Sequence, residues 1–150
     1  MKKPILVTLF LILTTAGLTA QERTIINDRG AANMLLGNHR LSLQWVSWDH
    51  FGRATVTNRQ GVYSIKGEQK GRGRNKDFVT IEGVITVIDK KEFRFRGKIL
   101  TLVSHIDSGR PCVRDGEFTF RITGKRRYWR LQEMDNPCDT ATDYVDIYFR

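Results

Sequence analysis

No apolar run in this chain is long enough to cross a bilayer as a helix. Ile5–Leu13 falls well short of the roughly 20 residues a span needs. Local catalytic signatures are missing too. There is no Cys-x-x-Cys pair, no Gly-x-Ser-x-Gly elbow, no phosphate-cradling glycine loop and no paired-carboxylate signature. Ser64, Ser104 and Ser108 have no partner histidine and acid in a recognised context. The three histidines, His39, His50 and His105, lack the i, i+2 or i, i+4 spacing of a metal pair. Asp135, Asp139, Asp143 and Asp146 lack the alternation and glycine of a calcium loop, and read as turn residues around Asp135-Asn136-Pro137. No metal or other cofactor is implied. An enzyme is the lesser reading, resting only on the fact that catalytic residues can converge from distant strands.

What is present begins with Lys2 and Lys3, followed by the apolar run and then Leu18-Thr19-Ala20 before Gln21. That order predicts a secretory signal peptide over Met1–Ala20 and export to the periplasm or beyond. No cysteine lies near the cleavage position, which argues against a lipid anchor. The remaining chain, 21–150, suits one domain. It carries 23 Lys and Arg against 16 Asp and Glu, a formal charge of +7 where the full chain has +9. Such a chain is drawn to anionic partners, an envelope component or an acidic protein. Export disfavours nucleic acid.

Asn27 or Asp28 can cap one helix within Glu22–Asn38, with Ala31–Leu36 as its body and Gly37 as its stop. From Arg40 the apolar period becomes two, predicting eight strands. These are Leu41–Trp48, Arg53–Thr57, Val62–Gln69, Phe78–Ile88, Glu92–Ser104, Gly116–Thr123, Arg127–Glu133 and Tyr144–Phe149. Short connectors predict antiparallel hairpins, with Lys70–Asp77 and Asp135–Asp143 as the longer loops. A two-residue turn at Gly124-Lys125 sets Phe120 opposite Trp129 and Phe118 opposite Leu131. A turn at Lys90 sets Val87 opposite Phe93, Ile85 opposite Phe95, Gly83 opposite Gly97 and Glu82 opposite Lys98. Gly67, Gly83 and Gly97, all in the apolar phase, predict sharp coiling. The fold expected is therefore all-β, an antiparallel up-and-down barrel with a short N-terminal helix. A β-sandwich with three local bulges is the alternative.

Cys112 and Cys138 stand about equally far from the Gly124-Lys125 turn. A disulfide between them would clamp that hairpin and stabilise the fold by about 3–4 kcal/mol. Trp45, Tyr63, Phe95, Phe118, Phe120 and Trp129 fall in the inward phase. They either fill the core or line a cavity for a small apolar or amphipathic ligand. Arg72 and Arg74, in the cationic loop Lys70–Lys76, would meet an anionic headgroup. Arg94, Arg96 and Lys98 alternate along the polar face of one strand and add a second basic feature. A barrel spanning a membrane is disfavoured, because several strands are shorter than the roughly 9–11 residues a span requires.

Two resemblances follow from these residues. Gly37–Gln44, a turn after a short helix leading into Leu41-Ser42-Leu43-Gln44-Trp45 and a meander, resembles the entry to a lipocalin-type barrel. Gly37 and Trp45 are too far apart for the Gly-x-Trp hallmark, so the resemblance implies architecture and no binding residue. Trp45–Phe149, including Leu131–Asp139 and Tyr144–Phe149, resembles a group of exported bacterial proteins of unassigned function. It implies export and a single domain. N-terminal sequencing of the exported protein should begin at Gln21; material still starting at Met1 would refute the leader.

Overall fold

Asp28 opens the helix. Its backbone is extended (φ −135°) and its carboxylate accepts the Ala31 N–H at 2.7 Å, satisfying a donor that a helix start leaves free. Helix α1 then runs Arg29–Leu35 and buries Ala31, Ala32 and Leu35. Gly37, at φ +102°, turns the chain into the sheet in a conformation that favours glycine. A computed structural model describes residues 22–150. The expected leader, Met1–Ala20, lies outside the described residues. The helix starts at one of its two expected caps and ends one residue before the expected Leu36, which is its C-cap; ahead of it, Thr24 belongs to the sheet. The Thr24 hydroxyl donates to the Ile85 carbonyl (2.6 Å) and accepts the Tyr63 N–H (2.9 Å). The following Ile25–Ile26 form a short strand, β1.

The remaining strands are β2 (Gly37–Leu43), β3 (Gly52–Arg59), β4 (Val62–Lys70), β5 (Phe78–Ile88), β6 (Glu92–Leu102), β7 (Cys112–Arg121), β8 (Tyr128–Leu131) and β9 (Val145–Tyr148). Each from β2 onward pairs antiparallel with the next, and β9 pairs back onto β2. The sheet is thus a closed ring of eight strands, an up-and-down barrel rather than a two-layer sandwich. β1 adds parallel to the end of β5. β2 stops at Leu43, short of the expected Trp48, because the Val46 and Ser47 N–H groups both turn back to the Leu43 carbonyl.

Register follows the expectation at the glycines and departs from it near the turns. Gly83 faces Gly97, Glu82 faces Lys98 and Ile85 faces Phe95. A bulge between Ile85 and Val87 then sets Ile88, not Val87, opposite Phe93. The bulge frees the end of β5 to take up Ile25 and Ile26 opposite Val87 and Ile88, and both β5 residues stay buried. In the β7–β8 hairpin Phe120 faces Leu131, so Trp129 and Leu131 are not the partners expected of Phe120 and Phe118. The tight turn at Gly124-Lys125 forms, with the Arg126 N–H on the Thr123 carbonyl (3.3 Å), but the ladder beyond it is displaced, and Ile122 donates its N–H across to the Lys91 carbonyl (2.7 Å). The shift is an even number of residues, so every side chain keeps its face.

The inward phase fills the bore. Phe93 stacks on Phe120 (5.1 Å), Phe95 on Phe118 (5.9 Å), and Trp129 meets Phe93 edge-on (5.9 Å) and Phe149 (4.6 Å). The Phe95 ring lies over the Gly83–Gly97 pair. A Cβ on Gly83 would sit 2.3 Å from the Arg96 carbonyl oxygen and 2.5 Å from that ring. α1 joins the same core through Ala31, Ala32 and Leu35 and closes one end. The opposite, open end carries the β2–β3, β4–β5, β6–β7 and β8–β9 connections.

Outside, charges alternate across four strands: Lys66, Glu82, Lys98 and Asp115 lie opposite one another in turn. Arg96 pairs with Glu117 at 2.9 Å and Lys98 with Asp115 at 3.6 Å. Two of the three basic residues that alternate along β6 are therefore neutralised locally. A charged outer wall around an apolar bore is the reverse of a membrane-spanning barrel. No helix among the described residues is long and apolar enough to cross a membrane.

Gly83→Ala should destabilise the fold by at least about 1–3 kcal/mol, the usual range for overpacking, because backbone and ring both block the added methyl. Urea unfolding measures this; an unchanged midpoint would show that the strands do not approach as described.

Candidate functional site

Aromatic residues that leave the strand pattern collect at the open end. Trp45 sits within the turn that stops β2, and Trp48 follows it. Trp48 is 71 % exposed, while Trp45 is half-buried and meets His105 edge-on at 5.8 Å. With Ile106, Ala141 and Tyr144 they form the apolar lining of a groove of about 460 Å³. Gln44, Asp139, Thr140 and Thr142 supply its polar lining. That volume lies within the roughly 300–1,000 Å³ of small-molecule sites.

The groove has a rigid back. The Trp45 indole N–H donates to Asp143 (3.2 Å), and the other Asp143 oxygen accepts the Asn136 amide (3.0 Å). That oxygen also lies 3.8 Å from the Arg114 guanidinium. Arg114 donates to the Glu133 carbonyl, packs over Phe118 and leaves its Nη1 without a hydrogen-bond partner. Both charges are buried. Burial pushes the Asp143 carboxyl above its ordinary value, against the opposing pull of Arg114, and pushes Arg114 below its own. Gln44 braces the same loop, donating to the Thr142 carbonyl (2.7 Å) and accepting the Tyr144 N–H (2.8 Å).

The Cys112–Cys138 disulfide forms, joining the start of β7 to the β8–β9 connection. Asp139, next to it, accepts the Asp107 N–H (2.5 Å) and so ties the β6–β7 connection to the groove. That bond and one from the Thr140 N–H hold the Asp139 carboxyl below its ordinary range. The acidic residues near the C-terminus are thus more than turn formers. Asp143 anchors Trp45, and Asp146 is buried under a two-pronged ion pair with Arg130, both contacts at 2.7 Å.

Of the ligand-facing residues expected from the sequence, only Trp45 lines the groove. Tyr63, Phe95, Phe118, Phe120 and Trp129 lie in the bore, where four of them pack on one another's rings or on Phe93. Arg72 and Arg74 stand exposed in the β4–β5 connection at the same end as the groove. Trp48 was the missed residue with a visible signal, a large aromatic among Ser47, Asp49 and His50.

Ser47 Oγ and His50 Nδ1 lie 2.8 Å apart, the distance of a nucleophile and its base. The serine oxygen also accepts the Asp49 and His50 N–H groups, and His50 Nε2 faces the Lys70 carbonyl. Among the described residues no carboxylate orients the imidazole, and the pair fastens a turn. Among the described residues no group of three or more His, Cys, Asp or Glu is placed to hold a metal.

A carboxyl whose folded pKa is raised favours folding below its unfolded pKa and loses that contribution as pH rises through the folded value. Wild type should therefore lose stability relative to Asp143→Asn as pH climbs from about 4, the region of an ordinary aspartate. Urea midpoints across that range read the difference; parallel pH profiles would refute the burial of a charged Asp143.

The model of the PM1083 family matches residues 23–149, which contain the whole barrel. Uncharacterized protein PM1083 of Pasteurella multocida (strain Pm70) is 48 % identical over 117 residues, covering 78 % of this chain and 74 % of that protein. No solved structure matches. With the barrel and its rim both inside the matched span, the chain belongs to the PM1083 family.

Proposed function

We propose that this chain is an exported, non-enzymatic binding protein that holds a small amphipathic ligand in the groove at its open end. The observation that carries the reading is Trp48, a largely exposed indole on a groove whose other walls are held by a disulfide and a buried ion pair. Large exposed apolar side chains on a rigid frame are characteristic of recognition surfaces. An apolar chain or ring would lie against Trp45, Trp48 and Tyr144, with its polar end toward Gln44, His105 and Thr140. Arg72 and Arg74, at the same end, would attract an anionic headgroup. The disulfide fits an oxidising compartment and supports export. Stacked rings occupy the bore, which favours the rim over the interior as the place for the ligand.

The three tryptophans give three indole N–H signals in an ¹⁵N spectrum. Titration with a lysophospholipid below its micelle concentration should move the Trp48 and Trp45 signals saturably and leave Trp129 in place. Trp48→Ala should weaken binding by about tenfold or more, the worth of a buried large apolar side chain. A response centred on Trp129 would place the ligand in the bore, and no saturable response would refute ligand binding of this class.

A further inference from the structure

The closed end of the barrel gathers positive charge from separate parts of the chain. The β5–β6 turn presents Lys90 and Lys91, and the β7–β8 connection presents Lys125, Arg126 and Arg127. Arg59 comes from the β3–β4 turn, Arg150 from the C-terminus and Arg23 from the start of the described chain. All are exposed, and none is ion-paired among the described residues.

Contacts run between these parts. Ile122 donates to the Lys91 carbonyl, Phe149 donates to the Arg127 carbonyl, and Thr24 donates to the Gly61 carbonyl beside Arg59. Most acids at this end are engaged: Asp28 caps α1, Asp89 accepts the Asn27 amide and Glu92 holds Arg121. Glu22 is exposed. The open end mixes acids, Asp49, Asp107, Asp135 and Asp139, with the bases Arg72, Arg74, Lys76 and Arg110. The closed end is therefore the more uniformly positive of the two.

Charge alone would suit any polyanion, but two apolar side chains share the closed end. Ile25 and Ile26 of β1 are 58 % and 40 % exposed and lie beside the Lys90-Lys91 turn. Basic side chains around exposed aliphatic ones suit a lipid surface, where headgroups meet the charge and the interface takes up the aliphatic groups.

We propose that the closed end docks peripherally onto an anionic phospholipid bilayer, leaving the open-end groove facing away from the membrane. The docking is independent of what the groove holds.

Sedimentation with vesicles of phosphatidylglycerol and phosphatidylcholine tests this on the exported protein. Binding should require phosphatidylglycerol and weaken steeply as salt rises, since exposed charges are screened. Lys90→Glu, Lys91→Glu and Lys125→Glu together should lower vesicle affinity by at least about a hundredfold, each basic residue at a membrane surface contributing comparably. These residues form no ion pair among the described residues, and an unchanged urea midpoint verifies the fold. Ile25→Ser with Ile26→Ser should weaken binding while leaving its salt dependence in place. Arg53→Glu with Lys76→Glu, both exposed at the other end and outside the groove, should leave vesicle binding unchanged. Equal binding to pure phosphatidylcholine, equal loss from the Arg53 and Lys76 variant, or binding to dextran sulfate without binding to vesicles would each overturn the proposal.

Discussion

Closure of the barrel depends on the approach of Gly83 to Gly97. At that point the β5 and β6 backbones come too close for a side chain on either strand, and the Phe95 ring covers the gap. The sheet can bend sharply there because nothing projects inward to resist it. Once bent, it carries β2 and β9 into pairing distance, and the ring has no exposed edge. Register at this seam fixes which residues face in, so the aromatic packing of β6, β7 and β8 follows from it.

A bore filled by stacked rings leaves the two ends as the places where chemistry differs. At the open end long connections are tied together by covalent and buried polar links rather than by apolar packing. The Arg114–Asp143 pair is an expensive element to bury, since desolvation opposes both charges. Its structural return is position: it fixes Asp143, and Asp143 fixes the Trp45 indole at the back of the groove. At the closed end α1 seals the core and the turns are short, so what they offer is surface charge. On the proposed readings, the two ends would divide recognition of a small molecule from attachment to a large anionic surface.

The sequence made the barrel legible because period-two alternation and inward-phase glycines record local and pairwise constraints. The facing of Gly83 and Gly97, and of Ile85 and Phe95, follows from those positions alone. Hairpin ends were less legible. The bulge after Ile85 exists to admit β1, and Ile122 leaves β7 to bond Lys91; both depend on segments far away in sequence. The site was legible in part. The disulfide followed from the symmetry of Cys112 and Cys138 about one turn. The groove did not, because Trp45, His105 and Tyr144 meet only after the ring has closed. Asp143 read as a turn residue since its partners, Trp45, Asn136 and Arg114, come from separate parts of the fold. The charge of the closed end was invisible for the same reason, being spread over turns that topology alone brings together.

Native-state hydrogen exchange, read residue by residue, tests the closed and filled ring most directly. In a closed ring the paired amides of β2 and β9 have no edge to exchange from, and they should open only with global unfolding, as those of β5 and β6 do. Amides of β2 or β9 exchanging at the rate of an exposed edge strand, while β5 and β6 stay protected, would contradict closure and the account built on it.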